Sequence, residues 1–255
     1  MVSQKEKAEV FSKLHVKGSP VILFNCWDAG SARIIEQAGA KAIATSSWAV
    51  AVANGFEDRE KTPLEFAIAN VERVVRSVTV PVTMDFEGGY ASKPSELKAN
   101  IEKVIAAGAV GINFEDQVIG GEGLYSIADQ CARIEAVRGA ASIPFFINAR
   151  TDVFLKADPA THDEGLLEEV VRRGEAYANA GASGLFAPGL KDANLIRKLC
   201  DASRLPVNIL MLPGVPPTRT LAGLGVGRIS YGSQPYRRVC DVVKEAAHHA
   251  FSDAS

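Results

Sequence analysis

Apolar and polar positions follow two regimes that take turns along the whole chain. Short runs rich in β-branched and aromatic residues lie at 21–28, 41–48, 80–87, 109–116, 143–152, 183–189, 205–212 and 227–232. Between them, stretches such as "TPLEFAIANVERVVRSV" and "DEGLLEEVVRRGEAYANAG" place apolar residues near i, i+3, i+4 and i+7. The first regime predicts eight buried strands and the second predicts amphipathic helices.

The punctuation agrees with that reading. Thr62-Pro63-Leu64-Glu65 reads as a capping box with proline at the first helical position, and Ser126 with Asp129 as a second helix start. "AGA" recurs at 38–40, 107–109 and 180–182, each time between a helix and a strand, and Gly225 precedes the last strand. Glycine suits the left-handed residue that ends a helix. Strand–helix alternation implies a parallel sheet. Eight units in 255 residues match a closed (β/α)8 TIM barrel forming a single domain over residues 1–255. A doubly wound open sheet is the alternative, but no GxGxxG follows the first strand. The first ~18 residues are expected to form an extra N-terminal helix closing the barrel bottom.

Composition narrows the partners. Net charge is −2, with no basic patch or tail, so nucleic acid and anionic membrane surfaces are not expected partners. No apolar run approaches the ~20 residues of a membrane span, and the polar N-terminus lacks an apolar signal core. Cys26, Cys131, Cys200 and Cys240 are widely spaced and suggest neither zinc nor a disulfide framework. A reduced, cytoplasmic protein is the expectation.

In a barrel, chemistry gathers at the C-terminal ends of the strands. Alternation there separates inward from outward positions. In the third strand Val82, Met84 and Phe86 share one side, leaving Thr83, Asp85 and Glu87 inward. The same reading turns Gly111, Asn113 and Glu115 inward in the fourth strand, Asn148 and Arg150 in the fifth, and Asn208 in the seventh. The second strand ends in Thr45-Ser46-Ser47. Three acids, Asp85, Glu87 and Glu115, thus face one obvious cation, Arg150. Buried uncompensated carboxylates are costly, and a hard divalent cation with oxygen ligands relieves them. Mg²⁺ is the expected metal, with Mn²⁺ as the alternative. No histidine or lysine lies at these strand ends, which argues against zinc and against Schiff-base chemistry.

"NCWDAGSARIIEQAGAKAIATSS", "GFEDRE", "MDFEGGY", "GINFEDQ" and "NARTDVF" resemble, in order, the signature segments of the isocitrate lyase/phosphoenolpyruvate mutase superfamily. The similarity runs from about residue 20 to 240 and is nearest to the short phosphonomutase-like branch. The resemblance implies a metal site at Asp85 and Glu87, with Glu replacing the family's second Asp, and at Glu115. It implies that Asp85 and Arg150 bind substrate, that the Ser46-Ser47 turn holds a substrate carboxylate, and that Asp58 is the acid on a mobile loop. The lyases' K-K-C-G-H segment is absent, since "VIGGEGLYSIADQ" carries no Cys, His or Lys. The gating loop of the mutases and phosphonopyruvate hydrolases is also shortened.

The expected activity is Mg²⁺-dependent C–C cleavage of a small 2-oxo or 2-hydroxy dicarboxylate through an enolate. Asp58 and Arg150 are the expected catalytic residues; Ser46, Ser47, Asp85, Arg150 and Asn208 are the expected substrate contacts. P–C chemistry on phosphonopyruvate is the alternative, and a non-catalytic barrel that binds 2-oxo acids is a third reading. The resemblance also implies a homo-oligomer, a dimer or a tetramer of dimers that exchange the last helix.

Overall fold

The computed structural model describes residues 2–252. Eight parallel strands form one sheet: β1 (Val21–Leu23), β2 (Ile43–Ala44), β3 (Val82–Asp85), β4 (Gly111–Glu115), β5 (Phe146–Arg150), β6 (Gly184–Phe186), β7 (Val207–Leu210) and β8 (Arg228–Ser230). Their order is β1-β8-β7-β6-β5-β4-β3-β2, with every pair parallel. The ends of that order meet just beyond β1 and β2, where Cys26 bridges Thr45. There Cys26 N–H donates to Ala44 O at 2.8 Å, and Ser46 N–H to Cys26 O at 3.0 Å. The Asn25 side chain reinforces this seam, donating to Thr45 O and accepting from the backbone N–H groups of Tyr231 and Gly232. The sheet is therefore a (β/α)8 TIM barrel, as the alternation predicts.

The helices are α1 (Gln4–Lys13), α2 (Ala29–Gln37), α3 (Ser47–Ala53), α4 (Leu64–Ser77), α5 (Pro94–Ala106), α6 (Ile127–Ala140), α7 (Val153–Lys156), α8 (Glu164–Asn179), α9 (Ala193–Ala202), α10 (Thr218–Gly223) and α11 (Gln234–Ser252). Gly39, Gly108, Gly181 and Gly225 leave their helices at φ between 94° and 104°, a region costly for residues with a Cβ. Ser126 caps α6 by accepting the Asp129 N–H. The expected Thr62 cap does not form. The helix α4 starts one residue late, Pro63 takes the capping position in an extended conformation, and Thr62 falls outside it.

The extra N-terminal helix lies under the barrel. Ala8 and Phe11 of α1 are fully buried in a cluster with Leu23 and with Val21, Val110 and Phe146, which lie at or just before the starts of β1, β4 and β5. Gln4 Nε2 donates to Ile105 O and Ala109 O. The largest core cluster joins Met84, Phe86, Ile112, Phe114 and Ile147 to helix residues such as Leu97, Ile101 and Ile134. Those five are the positions the alternation assigned outward, so the opposite set faces the barrel axis. Among the described residues no helix is long and apolar enough to cross a membrane.

One side of the barrel is bare. Ile22 and Phe24, on and just beyond β1, remain 37% and 40% exposed beside a groove of about 640 Å³ that also includes Val16, Ile34 and Lys41. The final helix does not cover it. Pro235 is the buried residue of α11, whereas Val239, Val242 and Val243 form an exposed apolar stripe.

Candidate active site

Asp85 closes β3 and sits opposite Asn113. Its Oδ2 accepts from the Ser47 backbone N–H at 3.0 Å and the Ser47 hydroxyl at 2.8 Å. Its Oδ1 lies 3.4 Å from the Asn113 amide nitrogen, and its own N–H donates to Thr45 Oγ1. The start of α3 on one side and β4 on the other thus hold this carboxylate.

Glu115 and Arg150 end adjacent strands in register. The Arg150 Nη1 approaches Glu115 Oε2 at 2.8 Å. Its Nε and Nη2 donate to the two Asp152 oxygens at 2.6 and 2.8 Å. Asp152 is itself anchored, because its N–H donates to Asp116 Oδ1 and Asp116 Oδ2 accepts from Tyr177 and Arg173. Burial alone would pull the Arg150 guanidinium down, but Glu115 and Asp152 outweigh it and hold it well above its ordinary value. Burial pushes Glu115 upward, with Arg150 opposing.

Glu87 lies two residues beyond Asp85 on backbone with φ 50°. Its Oε1 accepts the Glu60 N–H at 3.0 Å, and its Oε2 lies 3.4 Å from the Tyr90 hydroxyl. Burial first, then the charges of Asp85 and Asp58, push its carboxyl up to about 8. Asp58 is half-buried and also raised, by burial and by Asp85, with the Arg59 backbone and Arg150 opposing. The loop after α3 therefore brings Asp58 within the electrostatic reach of the strand ends.

The charge of Asp85 acts on Asp58, Glu87 and Glu115 alike, and Glu115 alone of these pairs directly with Arg150. The donor set is all oxygen and carries excess negative charge, which suits a hard divalent cation. Asp85 and Glu115 are the candidate ligands. Among the described residues no three His, Cys, Asp or Glu side chains already converge on one point. Glu87 is turned to its loop partners and Glu115 to Arg150, which separates the expected trio.

The phosphoenolpyruvate phosphomutase family profile matches residues 11–251. The chain belongs to the isocitrate lyase/phosphoenolpyruvate mutase superfamily. Within this superfamily of lyases and phosphonomutases, it is 45% identical to a Burkholderia cenocepacia J2315 protein provisionally described as a phosphonomutase. That crystal structure superposes with a TM-score of 0.95 over 97% of this chain and 100% of the other. The 2-methylisocitrate lyase of Escherichia coli K12 is 26% identical over 98% of this chain and 85% of its own. A phosphonopyruvate hydrolase solved with oxalate and Mg²⁺ shares the fold at 21% identity and a TM-score of 0.86, over 98% of this chain and 88% of that one.

Other site candidates of this superfamily member fall into different places. Ser46 is buried, and its hydroxyl faces the Ala49 N–H as the cap of α3. Asn208 is fully buried inside the barrel, where its Oδ1 accepts from Ser230. Arg228 is a second interior cation, absent from the sequence-based set. It donates to Asn113 Oδ1 at 2.9 Å and lies 3.3 Å from the Ser230 hydroxyl. Burial pulls it down to about 9 while Asp85 opposes. As the first residue of β8, Arg228 lies outside a search confined to the strands' C-terminal ends. Asp152, Glu60 and Tyr90 were missed for a related reason: their roles depend on contacts between segments. The shortened segment after β4 is a small hairpin, pinned by Gln117 pairing with Leu124.

Proposed function

We propose that this protein is a Mg²⁺-dependent enzyme that cleaves a C–C bond in a small 2-oxo or 2-hydroxy dicarboxylate through an enolate. The observation that carries this reading is the gathering of the Asp58, Asp85 and Glu115 charges within reach of Arg150, which pairs with Glu115. Asp85 and Glu115 would hold the metal, which supplies Lewis-acid polarisation of a 2-oxo group when bound. Arg150, fixed by Asp152, keeps N–H groups to spare and would stabilise negative charge developing on the substrate oxygen. Asp58 would close over the site as the acid–base group on its loop. Ser46 and Ser47 would meet the substrate carboxylate, with Asn208 deeper in the barrel.

A screen with Mg²⁺ across oxaloacetate, alkylmalates, methylisocitrate and phosphonopyruvate tests the reading. Turnover of a C–C substrate that disappears in Asp85→Ala supports it; metal-dependent turnover surviving in that variant overturns the metal assignment. The family match and the 45% identical neighbour favour a second reading, P–C chemistry, for which phosphate or phosphoenolpyruvate would appear from phosphonopyruvate. Stabilisation by Mg²⁺ and oxalate without any turnover would instead favour a non-catalytic binding barrel.

The assembly is proposed to be a homo-oligomer in which α11 exchanges between subunits. Each barrel offers a bare groove over β1 and an unpacked apolar stripe on α11, and a second copy supplies the complement of both.

A further inference from the structure

The described residues include four non-glycine positions in the left-handed region: Arg59 (φ 64°), Glu60 (φ 58°), Glu87 (φ 50°) and Tyr90 (φ 55°). Such backbone is strained for residues with a Cβ and persists only where the surroundings hold it. The four lie in just two segments, the loop between α3 and α4 and the turn after β3, and the segments grip each other. The Glu60 N–H donates to Glu87 Oε1 at 3.0 Å. The Glu60 carboxylate returns the contact, accepting the Tyr90 N–H at 2.7 Å. The Tyr90 hydroxyl lies 3.4 Å from Glu87 Oε2.

The turn is shaped for this visitor. A Cβ at position 88 would lie 3.1 Å from Glu60 Oε1 and 2.9 Å from Ile119, so glycine lets the carboxylate in. Behind the turn, buried Arg133 donates to the carbonyls of Gly88, Ala91 and Ser92. Arg133 also attracts Glu60 electrostatically. The turn is therefore also braced from α6.

We infer that Glu60 and Glu87 form a reciprocal clasp that positions Asp58 over the strand ends, and that Glu87 serves this loop rather than the metal. Glu60 lies two residues from Asp58, so fixing its backbone N–H and carboxylate fixes the segment that carries the acid. Glu60 and Glu87 are positioning residues. The longer side chain at 87 brings its carboxylate to the Glu60 N–H. The clasp rests on the proposed function only for the role given to Asp58.

Amide hydrogen exchange, corrected for intrinsic rates, tests the clasp directly. In Glu60→Ala, exchange should speed up at both 57–61 and Tyr90 by about tenfold or more, the scale of a lost hydrogen bond to a charged group. Glu60→Gln keeps an acceptor for Tyr90 and should restore protection to within about threefold of wild type. Glu87→Gln should also keep the loop protected, and Glu87→Asp, one methylene shorter, should release it. Calorimetric titration with Mg²⁺ in the presence of oxalate supplies the second readout. Glu87→Gln should bind within about threefold of wild type, as expected for a side chain that neither ligates the metal nor orients a ligand. Unchanged exchange in Glu60→Ala overturns the clasp. A tenfold loss of Mg²⁺ affinity in Glu87→Gln with its loop still protected overturns the reassignment of Glu87. If the wild-type protein binds no Mg²⁺, the metal reading fails, and the exchange results still decide the clasp.

Discussion

One methylene separates glutamate from aspartate, and at position 87 it changes which partner the carboxylate reaches. Asp85, shorter and on regular strand backbone, is held by Ser47 and faces Asn113; Glu87, past the strand end, reaches Glu60. Strand parity assigned both side chains inward, but parity lapses once φ turns positive at Glu87. Arg150 shows the same contrast between direction and partner. Its inward direction was legible in the alternation of "FFINARTD", whereas its clamp by Asp152 depends on the turn after the strand. Arg150→Lys should lower kcat about a hundredfold, because an ammonium cannot reproduce the guanidinium fork. Steady-state kinetics on the substrate found in the screen would check it; near-wild-type kcat would remove Arg150 from the chemistry.

At the scale of elements, α1 plugs the barrel bottom through a small aromatic stack. Phe11 meets Phe146 edge-on at 5.4 Å, and the His15 ring stacks on Phe146 at 4.0 Å. Phe11→Ala should cost about 3–5 kcal/mol, the range for removing a buried phenyl ring; a shift in the urea midpoint reads this. His15 is pulled down to about 3, first by burial and then by Arg228. Its folded value lies below its unfolded value of 6.5, so the unfolded chain takes up the proton first. The resulting stability is complete above about pH 6.5 and is lost as pH falls toward 3, by at most about 1.4 kcal/mol per unit. His15→Leu should therefore flatten the decline in urea stability between pH 7 and 5 relative to wild type. Equal slopes would show that the imidazole is not buried neutral in solution.

For the molecule as a whole, the bare groove over β1 and the exposed Val239–Val242–Val243 stripe pose one question. Every strand of a barrel needs its outer face covered. Val242→Asp with Val243→Asp should leave the single subunit folded, since both side chains are already exposed, but should reduce the mass measured by light scattering to that of a monomer. A monomeric wild type, or a variant that keeps the wild-type mass, would rule out assembly through α11.

What the sequence determined by itself was whatever depends on local period and local chemistry. Eight apolar runs at a regular spacing require a covered parallel sheet, and glycine after a helix marks its end. Alternation in the fourth and fifth strands turned Glu115 and Arg150 to the same side. The tertiary structure decided everything that depends on a contact between distant segments. It directed Glu87 to Glu60 across 27 positions of chain and placed Arg228 under Asn113 across 115. It also kept Asn208 among interior polar groups and left α11 beyond its first turn exposed on its own barrel. The physical reason is one of range. Backbone periodicity sets the side to which a residue points, whereas the partner it meets is set by the closure of the barrel and the turns beyond its strands.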